Sequence, residues 1–171
     1  KYPADPLAVR IMAVTGMRIE EVCSLAVGDV TVDAKRAGVM WLRVREGKSR
    51  AAIRSVPVVA LQVIEQLTSR LDGQAANAPL FPEYRPNKLG DRYNALSKRL
   101  SRVLQGISAD PQLVPAHSWR HRVRSELERA AIRPAVADTF IGHERPGMGL
   151  GNYYHPEEGE LIEAAKALPL P

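Results

Sequence analysis

The sequence has little cysteine and no long apolar run, and each absence removes a class of protein. Cys23 is the only cysteine in 171 residues, so an internal disulfide and a zinc site built on several thiolates are excluded. No apolar run approaches the roughly 20 residues of a membrane-spanning helix, and the N-terminus lacks a signal-peptide pattern. A Gly-x-x-x-x-Gly-Lys loop for ATP phosphates is also missing. We therefore expect a soluble, cytoplasmic protein with no membrane contact.

The composition that remains is that of a globular domain with an uneven charge distribution. Hydrophobic residues make up 45% and charged residues 25% of the chain, which is enough for one domain with a sizeable core. The net charge is +5, and the segment from Arg85 to Arg133 contains eleven Lys/Arg but only four Asp/Glu. Residues 157–163 are acidic instead. The basic middle indicates a phosphate-facing surface, and a solvated helix face is the alternative.

Hydrophobic periodicity predicts a mainly helical α+β fold with one small three-stranded antiparallel sheet. In the first helix, Asp5 is the expected N-cap, Pro6 the first helical residue and Gly16 the end. The runs "DVTVD", "GVMWLRV" and "IRSVPVV" alternate or are β-branched and predict the strands. The predicted helices are "DPLAVRIMAVT", "RIEEVCSLAV", "ALQVIEQLTSRL", "DRYNALSKRLSRVL", "HSWRHRVRSELERAAI", "PAVADTFIGH" and "PEEGELIEAAKAL".

The helix predicted over "DRYNALSKRLSRVL" is amphipathic, with its basic residues largely off the apolar face. The predicted apolar face comprises Tyr93, Leu96, Leu100, Val103 and Leu104. Basic side chains on and just before this helix are candidate DNA contacts, although the sequence does not separate phosphate contacts from base contacts. They are Arg85, Lys88, Arg92, Lys98, Arg99 and Arg102.

A candidate anion site lies at the start of the helix predicted over "HSWRH". His117 and Arg120 are three residues apart and therefore project on one face. The free amide groups and positive partial charge of a helix N-terminus favour an anion there. His121 raises the alternative of a metal site, but coordination needs at least three well-placed ligands and no matching cysteine or clear carboxylate partner is present. We therefore predict no metal.

Four short motifs, each weak alone, occur in a specific order. Singly, Arg18 after "TGM" is an exposed arginine, Lys48 a turn lysine and His143 in "IGH" a helix cap. Together, "TGMRIEEVCSL", "GKSRAAIRSVPV", "HSWRH" and "IGHERPGMGLGNYYH" resemble the catalytic domain of the tyrosine recombinase or phage integrase family. The resemblance extends from about residue 5 to the end of the chain.

The resemblance implies a set of catalytic residues and a reaction. Two arginines, a lysine and two histidines of the family's catalytic set have counterparts in this chain. The counterpart of the nucleophile is one of the adjacent residues Tyr153 and Tyr154. The usual family spacing favours Tyr153, ten positions beyond His143, over Tyr154, eleven beyond it. The reaction is DNA strand cleavage and rejoining through a covalent 3′-phosphotyrosine, without metal or nucleotide cofactor. The mapped residues are Arg18, Lys48, His117, Arg120, His143 and Tyr153.

The reaction requires these residue types on independent grounds. A phosphodiester gains roughly a second negative charge in its pentacoordinate transition state, which suits two permanently charged guanidiniums. His117 is the candidate base for the phenol, and His143 a candidate donor to a non-bridging oxygen. Lys48, protonated at neutral pH, suits the general acid for the departing 5′ oxygen.

The resemblance also implies a larger protein and particular partners. Family members usually carry an N-terminal DNA-clamping domain, and their catalytic domain starts a helix earlier, so we expect residues 1–171 to be a catalytic-domain fragment that binds DNA weakly alone. The implied partner is double-stranded DNA, on which the protein would form a homotetramer, although the fragment alone could be a monomer. The implied location is the nucleoid, in a bacterial or phage setting.

Some alternatives stay open at this point. Residues 157–171 are either a docking tail for a neighbouring protomer or a segment that packs on its own domain. A type IB topoisomerase shares the cleavage chemistry but relaxes supercoils. A DNA-binding or assembly module without catalysis is the third alternative.

Overall fold

The computed structural model describes residues 2–47, 49–108, 110, 114–143 and 155–170. This part of the chain forms seven α-helices and a three-stranded antiparallel sheet, which confirms the predicted mainly helical α+β class. The helices are α1 (Asp5–Thr15), α2 (Ile19–Cys23), α3 (Leu61–Leu71), α4 (Asn94–Gln105), α5 (Pro115–Arg129), α6 (Pro134–Ile141) and α7 (Glu158–Lys166); the strands are β1 (Val30–Val32), β2 (Met40–Val44) and β3 (Arg54–Val58).

Helix α1 is the centre of the core. It packs against α2, α3, α5 and β3, and Ala8, Ile11 and Met12 on it are fully buried. Its cap is Ala4, so Asp5 is the first helical residue rather than the predicted N-cap. The helix ends at Gly16, as predicted, with a left-handed φ of 63° that favours glycine.

The sheet has strand order β1-β2-β3, and both neighbouring pairs are antiparallel. Leu42 of the central strand is opposite Val30 on one side and Val56 on the other, and all three are buried. Period-2 alternation therefore puts one face of the sheet on the core. Arg54 lies on the buried face of β3 with Val56 and Val58.

Two of the predicted helices are shorter than expected because backbone groups near their ends form hydrogen bonds outside the helix. The prediction of one helix over "RIEEVCSLAV" was wrong beyond Cys23: α2 stops there, and a 3-10 turn follows at Val27–Asp29. The amides of Val27 and Gly28 bond carbonyls of residues 78 and 76 instead. Helix α4 begins at Asn94 rather than residue 91, and the Asp91 carbonyl, which would accept an early bond of the longer helix, accepts from the Asn87 amide instead.

Helix α4 buries only part of its predicted apolar face. Leu96 is fully buried, and Tyr93 and Leu100 pack against the core at partial burial. Val103, predicted on the same face, is 60% exposed. The C-terminal half of α4 therefore projects from the core.

Helix α7 packs on its own chain, against α6 and β3. Leu161, Ile162 and Ala165 are buried there, and Arg36 and Glu158 form an ion pair at 3.0 Å. This packing corresponds to the alternative in which residues 157–171 pack on their own domain. Docking of this segment on a neighbouring protomer stays a prediction. Across the described residues, no helix combines the length and apolar character that crossing a membrane requires.

Candidate active site

Arg120 joins two turns of the backbone from the interior of the domain. It lies on α5, is 6% exposed, and donates from Nη1 to the Gly16 carbonyl at 3.0 Å and from Nη2 to the Gly142 carbonyl at 3.1 Å. Gly16 ends α1 just before Arg18, and Gly142 ends α6 just before His143. A single buried guanidinium thus connects three of the motifs found in the sequence.

The electrostatic environment of Arg120 favours an anion. Burial, followed by the positive charges of Arg18 and Arg54, lowers its pKa to about 10, which still leaves it protonated at neutral pH. Among the described residues, Arg120 forms no ion pair, and its two bonded acceptors are neutral carbonyl oxygens. A buried cation whose hydrogen bonds go only to neutral oxygens is costly, so an anion bound beside it would be stabilised.

Arg18 lies at the N-terminal end of α2 and is bound twice by one carboxylate. Its backbone amide donates to Glu21 Oε2 at 2.9 Å, and its Nη1 donates to Glu21 Oε1 at 2.8 Å. The Arg18 side chain remains 28% exposed and lines an open groove together with Glu20 and Gly47. The guanidinium is therefore both oriented and accessible to a ligand.

Sequence reasoning missed two residues of this cluster, Glu21 and Arg54. They form an ion pair in which each side chain is only 4% exposed, with Arg54 Nη2 donating to Glu21 Oε2 at 3.0 Å. The bonds to Arg54 and Arg18 outweigh the effect of burial and lower the Glu21 pKa. Two signals in the sequence could have found them. Glu21 is three residues after Arg18, which is the spacing of a capping carboxylate. Arg54 alternates with Val56 and Val58 along β3 and therefore lies on the same, buried face of the strand.

His117 lies in the first turn of α5 with an exposed ring. The ring meets that of His121 edge-on, with 5.0 Å between centroids. Partial burial, then the positive charges of His121, Arg120 and Arg18, lower the His117 pKa. The imidazole is therefore neutral at neutral pH and able to accept a proton. No group of three or more metal-ligating side chains occurs within the described ranges.

His143 follows the left-handed Gly142 at the end of α6, and its backbone amide donates to the Asp138 carbonyl at 2.8 Å. Its side chain is 60% exposed, with Nδ1 4.0 Å from Asp138 Oδ1. Lys48, Tyr153 and Tyr154 lie outside the described residues. Of the predicted catalytic residues, the structure thus brings Arg18, Arg120 and His117 together and puts His143 directly after the turn that Arg120 binds.

The predicted DNA contacts divide into two groups. Arg85, Lys88, Lys98 and Arg102 are exposed. Arg92 donates to the Tyr84 carbonyl at 2.9 Å. Arg99 donates to both carboxylate oxygens of Asp5, at 2.6 and 2.8 Å. These last two guanidiniums have structural partners within the domain.

Comparison with known proteins identifies the family to which this chain belongs. Residues 2–160 match the family model described as "Phage integrase family". The chain therefore belongs to the phage integrase family, and the resemblance noted in the sequence is confirmed. No curated protein gave a significant match.

The fold is also similar to those of solved recombinase–DNA complexes. One is the XerH site-specific recombinase bound to difH substrate in a pre-cleavage complex, with a TM-score of 0.60, 23% identity and coverage of 83% of this chain and 40% of that chain. Another is XerH bound to a palindromic difH substrate in a post-cleavage complex, with a TM-score of 0.58, 23% identity and coverage of 82% and 39%. This chain thus spans about two fifths of their length, and its fold is that of a tyrosine recombinase catalytic domain.

Proposed function

We propose that this chain is the catalytic domain of a site-specific DNA recombinase or integrase, which cleaves and rejoins strands through a covalent 3′-phosphotyrosine. The observation that carries the proposal is Arg120, a buried cation without an ion-pair partner among the described residues, beside the accessible guanidinium of Arg18. Two neighbouring guanidiniums suit a phosphodiester because each can donate two parallel hydrogen bonds to its oxygens. Family membership and the recombinase fold support the same reaction.

In the cleavage step, the Tyr153 phenol oxygen attacks the scissile phosphorus and the bond from phosphorus to the 5′ oxygen breaks. Arg18 and Arg120 bind the non-bridging oxygens and stabilise the added negative charge, and His143 donates a further hydrogen bond. Removing one preorganised donor of this kind typically costs about 3 to 4 kcal/mol of transition-state stabilisation. The arginine pair is therefore the largest catalytic contribution in this proposal.

Two proton transfers accompany the cleavage step. A phenol with a pKa of about 10 lies roughly three units above neutral pH, which corresponds to about 4 kcal/mol for its deprotonation. His117 accepts this proton, and its lowered pKa keeps it in the accepting form. Lys48 donates a proton to the departing 5′ oxygen. Rejoining reverses both transfers, and the tyrosyl ester conserves the bond energy, so the reaction consumes no ATP and needs no metal.

The DNA surface and the assembly belong to the same proposal. Arg85, Lys88, Lys98 and Arg102 are exposed and suited to phosphate contacts. Arg92 and Arg99 remain predicted contacts, although their guanidiniums bond Tyr84 and Asp5. We further propose a homotetramer on double-stranded DNA, in the cytoplasm and associated with the nucleoid, in a bacterial or phage setting. A DNA-clamping domain outside this chain supplies much of the affinity.

Covalent trapping tests the reaction. The full-length protein is incubated with a nicked suicide substrate from its own flanking DNA, and the protein–DNA adduct is resolved on a denaturing gel. We expect an adduct with the wild-type protein, no adduct with Tyr153→Phe, and an adduct with the matched control Tyr154→Phe.

Each other result contradicts part of the proposal. An adduct with Tyr153→Phe but not with Tyr154→Phe moves the nucleophile by one residue. Relaxation of supercoiled plasmid without a recombination site indicates a topoisomerase. DNA binding without any wild-type adduct excludes the covalent mechanism and indicates a binding module.

A further inference from the structure

Arg54 binds Glu21 and two backbone carbonyls beside the catalytic arginines, although no step of the proposed reaction uses it. It is the first residue of β3, and its side chain is 4% exposed. Its Nε donates to the Phe140 carbonyl at 3.0 Å, and its Nη1 donates to the Ala52 carbonyl at 2.8 Å. Its two terminal nitrogens also bind the carboxylate of Glu21.

We propose that Arg54 is a positioning residue for DNA cleavage: it orients Arg18 through Glu21 and holds the end of α6 at the place where Arg120 binds it. The proposal rests on the proposed recombinase function, because it assigns Arg54 to the arginine pair that binds the scissile phosphate. Arg54 itself does not touch the reacting atoms.

The first argument is the way in which Glu21 is shared. Its Oε1 accepts from Arg18 Nη1 at 2.8 Å and from Arg54 Nη1 at 3.2 Å. Its Oε2 accepts from the Arg18 amide at 2.9 Å and from Arg54 Nη2 at 3.0 Å. Arg54 thereby fixes the plane of the carboxylate that orients Arg18.

Charge balance adds to this argument. With Arg54 present, the charge of Glu21 is offset by Arg54, so Arg18 keeps most of its own positive charge for a phosphate. Without Arg54, the buried carboxylate would have Arg18 as its only cationic partner among the described contacts. The carboxylate would then compete with the phosphate for Arg18.

The second argument is the close approach of Arg54 to the end of α6. Gly142 has a φ of 69°, and a Cβ at this position would lie 2.6 Å from Arg54 Nη1 and 2.8 Å from Arg54 Cζ. Only glycine lets the backbone lie directly on the guanidinium. The carbonyl of the same Gly142 accepts from Arg120 Nη2 at 3.1 Å. Arg54 and Arg120 therefore both contact the turn that precedes His143.

The Arg54→Lys variant in the full-length protein is the direct test. An ammonium keeps the charge but lacks the planar fork that binds Glu21 and Phe140 at once. We expect single-turnover cleavage at saturating nicked DNA to slow by roughly tenfold to a hundredfold, the scale of a displacement of about 1 Å in a catalytic group. The Kd for DNA should change by less than about threefold, because the loss is confined to the transition state.

A second substrate separates positioning from mere structural support. A methylphosphonate at the scissile position removes one negative charge, so a correctly placed Arg18 matters less to its cleavage. The ratio of wild-type to Arg54→Lys cleavage rates should therefore be smaller on this substrate than on the phosphodiester. A structural defect would lower both rates by the same factor.

Arg70→Lys is the matched control. Arg70 makes a similar fork, donating to Glu83 at 2.8 and 3.2 Å and to the Leu80 carbonyl at 3.0 Å, but it contacts none of the cluster's residues among the described contacts. We expect wild-type cleavage of both substrates. A control defect as large as that of Arg54→Lys would overturn the proposal.

Thermal unfolding of each variant establishes that it is folded at the assay temperature. If Arg54→Lys does not fold, the double variant Arg54→Met/Glu21→Gln replaces it, because removing both charges leaves no unpaired buried ion. The same loss and the same substrate ratio are expected.

Cleavage at the wild-type rate, an equal loss on both substrates, or a loss in Kd alone would reject the role of Arg54. Absence of any adduct with the wild-type protein would instead reject the proposed function.

Discussion

Two arginine-centred clusters in this domain differ in how their charge is balanced. In the first, Glu21 pairs with both Arg18 and Arg54, and Arg120 lies near them without an ion pair among the described residues. In the second, one arginine, Arg99, binds one carboxylate, Asp5, through two hydrogen bonds of 2.6 and 2.8 Å. The first cluster keeps an excess of positive charge, and the second is neutral.

Two aromatic side chains contact the ion pair of the second cluster. The Tyr84 hydroxyl donates to Asp5 Oδ1 at 3.0 Å, and the guanidinium of Arg99 lies 4.2 Å above the ring centroid of Tyr2. Each polar group therefore has a partner inside the cluster. Such a site stabilises the attachment of α4 to α1 and has little residual attraction for an anion.

The pKa shifts of the two arginines have opposite directions for this reason. The hydrogen bond to Asp5 raises the pKa of Arg99, whereas burial lowers that of Arg120 to about 10. An arginine held by a carboxylate is stabilised in its charged form, and one held by carbonyls beside other cations is not. The balance of partners, rather than the number of basic residues, thus distinguishes a candidate phosphate site from a structural contact.

The largest expected effect is on catalysis, through Arg120. Arg120→Lys keeps a charge but cannot bind the Gly16 and Gly142 carbonyls and also present two donors to a phosphate. We expect single-turnover adduct formation to fall by about a hundredfold to a thousandfold. A fall of less than about tenfold would remove the main distinction between the two clusters.

Glu21→Gln tests the balance within the first cluster. The change leaves Arg54 buried without its counter-charge, which typically destabilises a protein by about 3 to 5 kcal/mol. Urea unfolding monitored by circular dichroism measures the loss. Because the Glu21 pKa is lowered in the folded protein, its contribution is present above its ordinary value of 4.5 and disappears as the pH falls through the folded pKa. A pH-independent difference between wild type and variant would contradict this assignment.

Asp5→Asn tests the second cluster and has a smaller expected effect. Asp5 and Arg99 are each 19% exposed, and the amide retains an acceptor for the Tyr84 hydroxyl. We expect a loss of about 1.5 to 3 kcal/mol in the free energy of unfolding, the range for a hydrogen bond to a charged group. Adduct formation at saturating DNA should stay at the wild-type rate. A catalytic defect comparable to that of Arg120→Lys would show that the clusters are coupled.

The smallest expected effect is a shift in the pH dependence of cleavage. Because the His117 pKa is lowered from 6.5, the proton-accepting form persists to lower pH and the acid limb of the rate profile should lie below 6.5. His121→Gln removes one of the causes of this lowering, so the midpoint should move up by less than about one pH unit. An unchanged midpoint would exclude His121 as a cause, and a midpoint above 6.5 in the wild type would argue against His117 as the base.

Turn residues and hydrophobic periodicity in the sequence predicted which helices and strands exist better than they predicted where each one ends. Pro6 and Gly16 delimited α1 to within a residue, because both act through their own backbone conformation. The segment after Cys23 was assigned to a helix from its apolar pattern, but its amides bond carbonyls of residues 76 and 78, far along the chain. Val103 fitted the periodicity of α4 and is nevertheless exposed, since nothing in the described core covers that turn.

The candidate site shows the same division. Arg18, His117, Arg120 and His143 were all singled out by motif and order. Their proximity was expected only from the family resemblance, because it depends on contacts between distant parts of the chain, such as the bond from Arg120 to the Gly16 carbonyl. Glu21 and Arg54 were overlooked, since a lone carboxylate and a lone strand arginine are unremarkable until they are found buried together.

The amino-acid sequence by itself determined the helical and strand segments, the family and the residue types suited to phosphate chemistry, because these depend on periodicity, turn residues and short motifs. Only the tertiary structure decided which arginines are neutralised and which keep their charge. Arg99 and Arg120 are both helical arginines in the basic stretch, and although the motif singled out Arg120, the sequence did not show which of the two would be neutralised by a carboxylate. Their roles differ because folding brings a carboxylate from α1 to Arg99 but two carbonyl groups to Arg120.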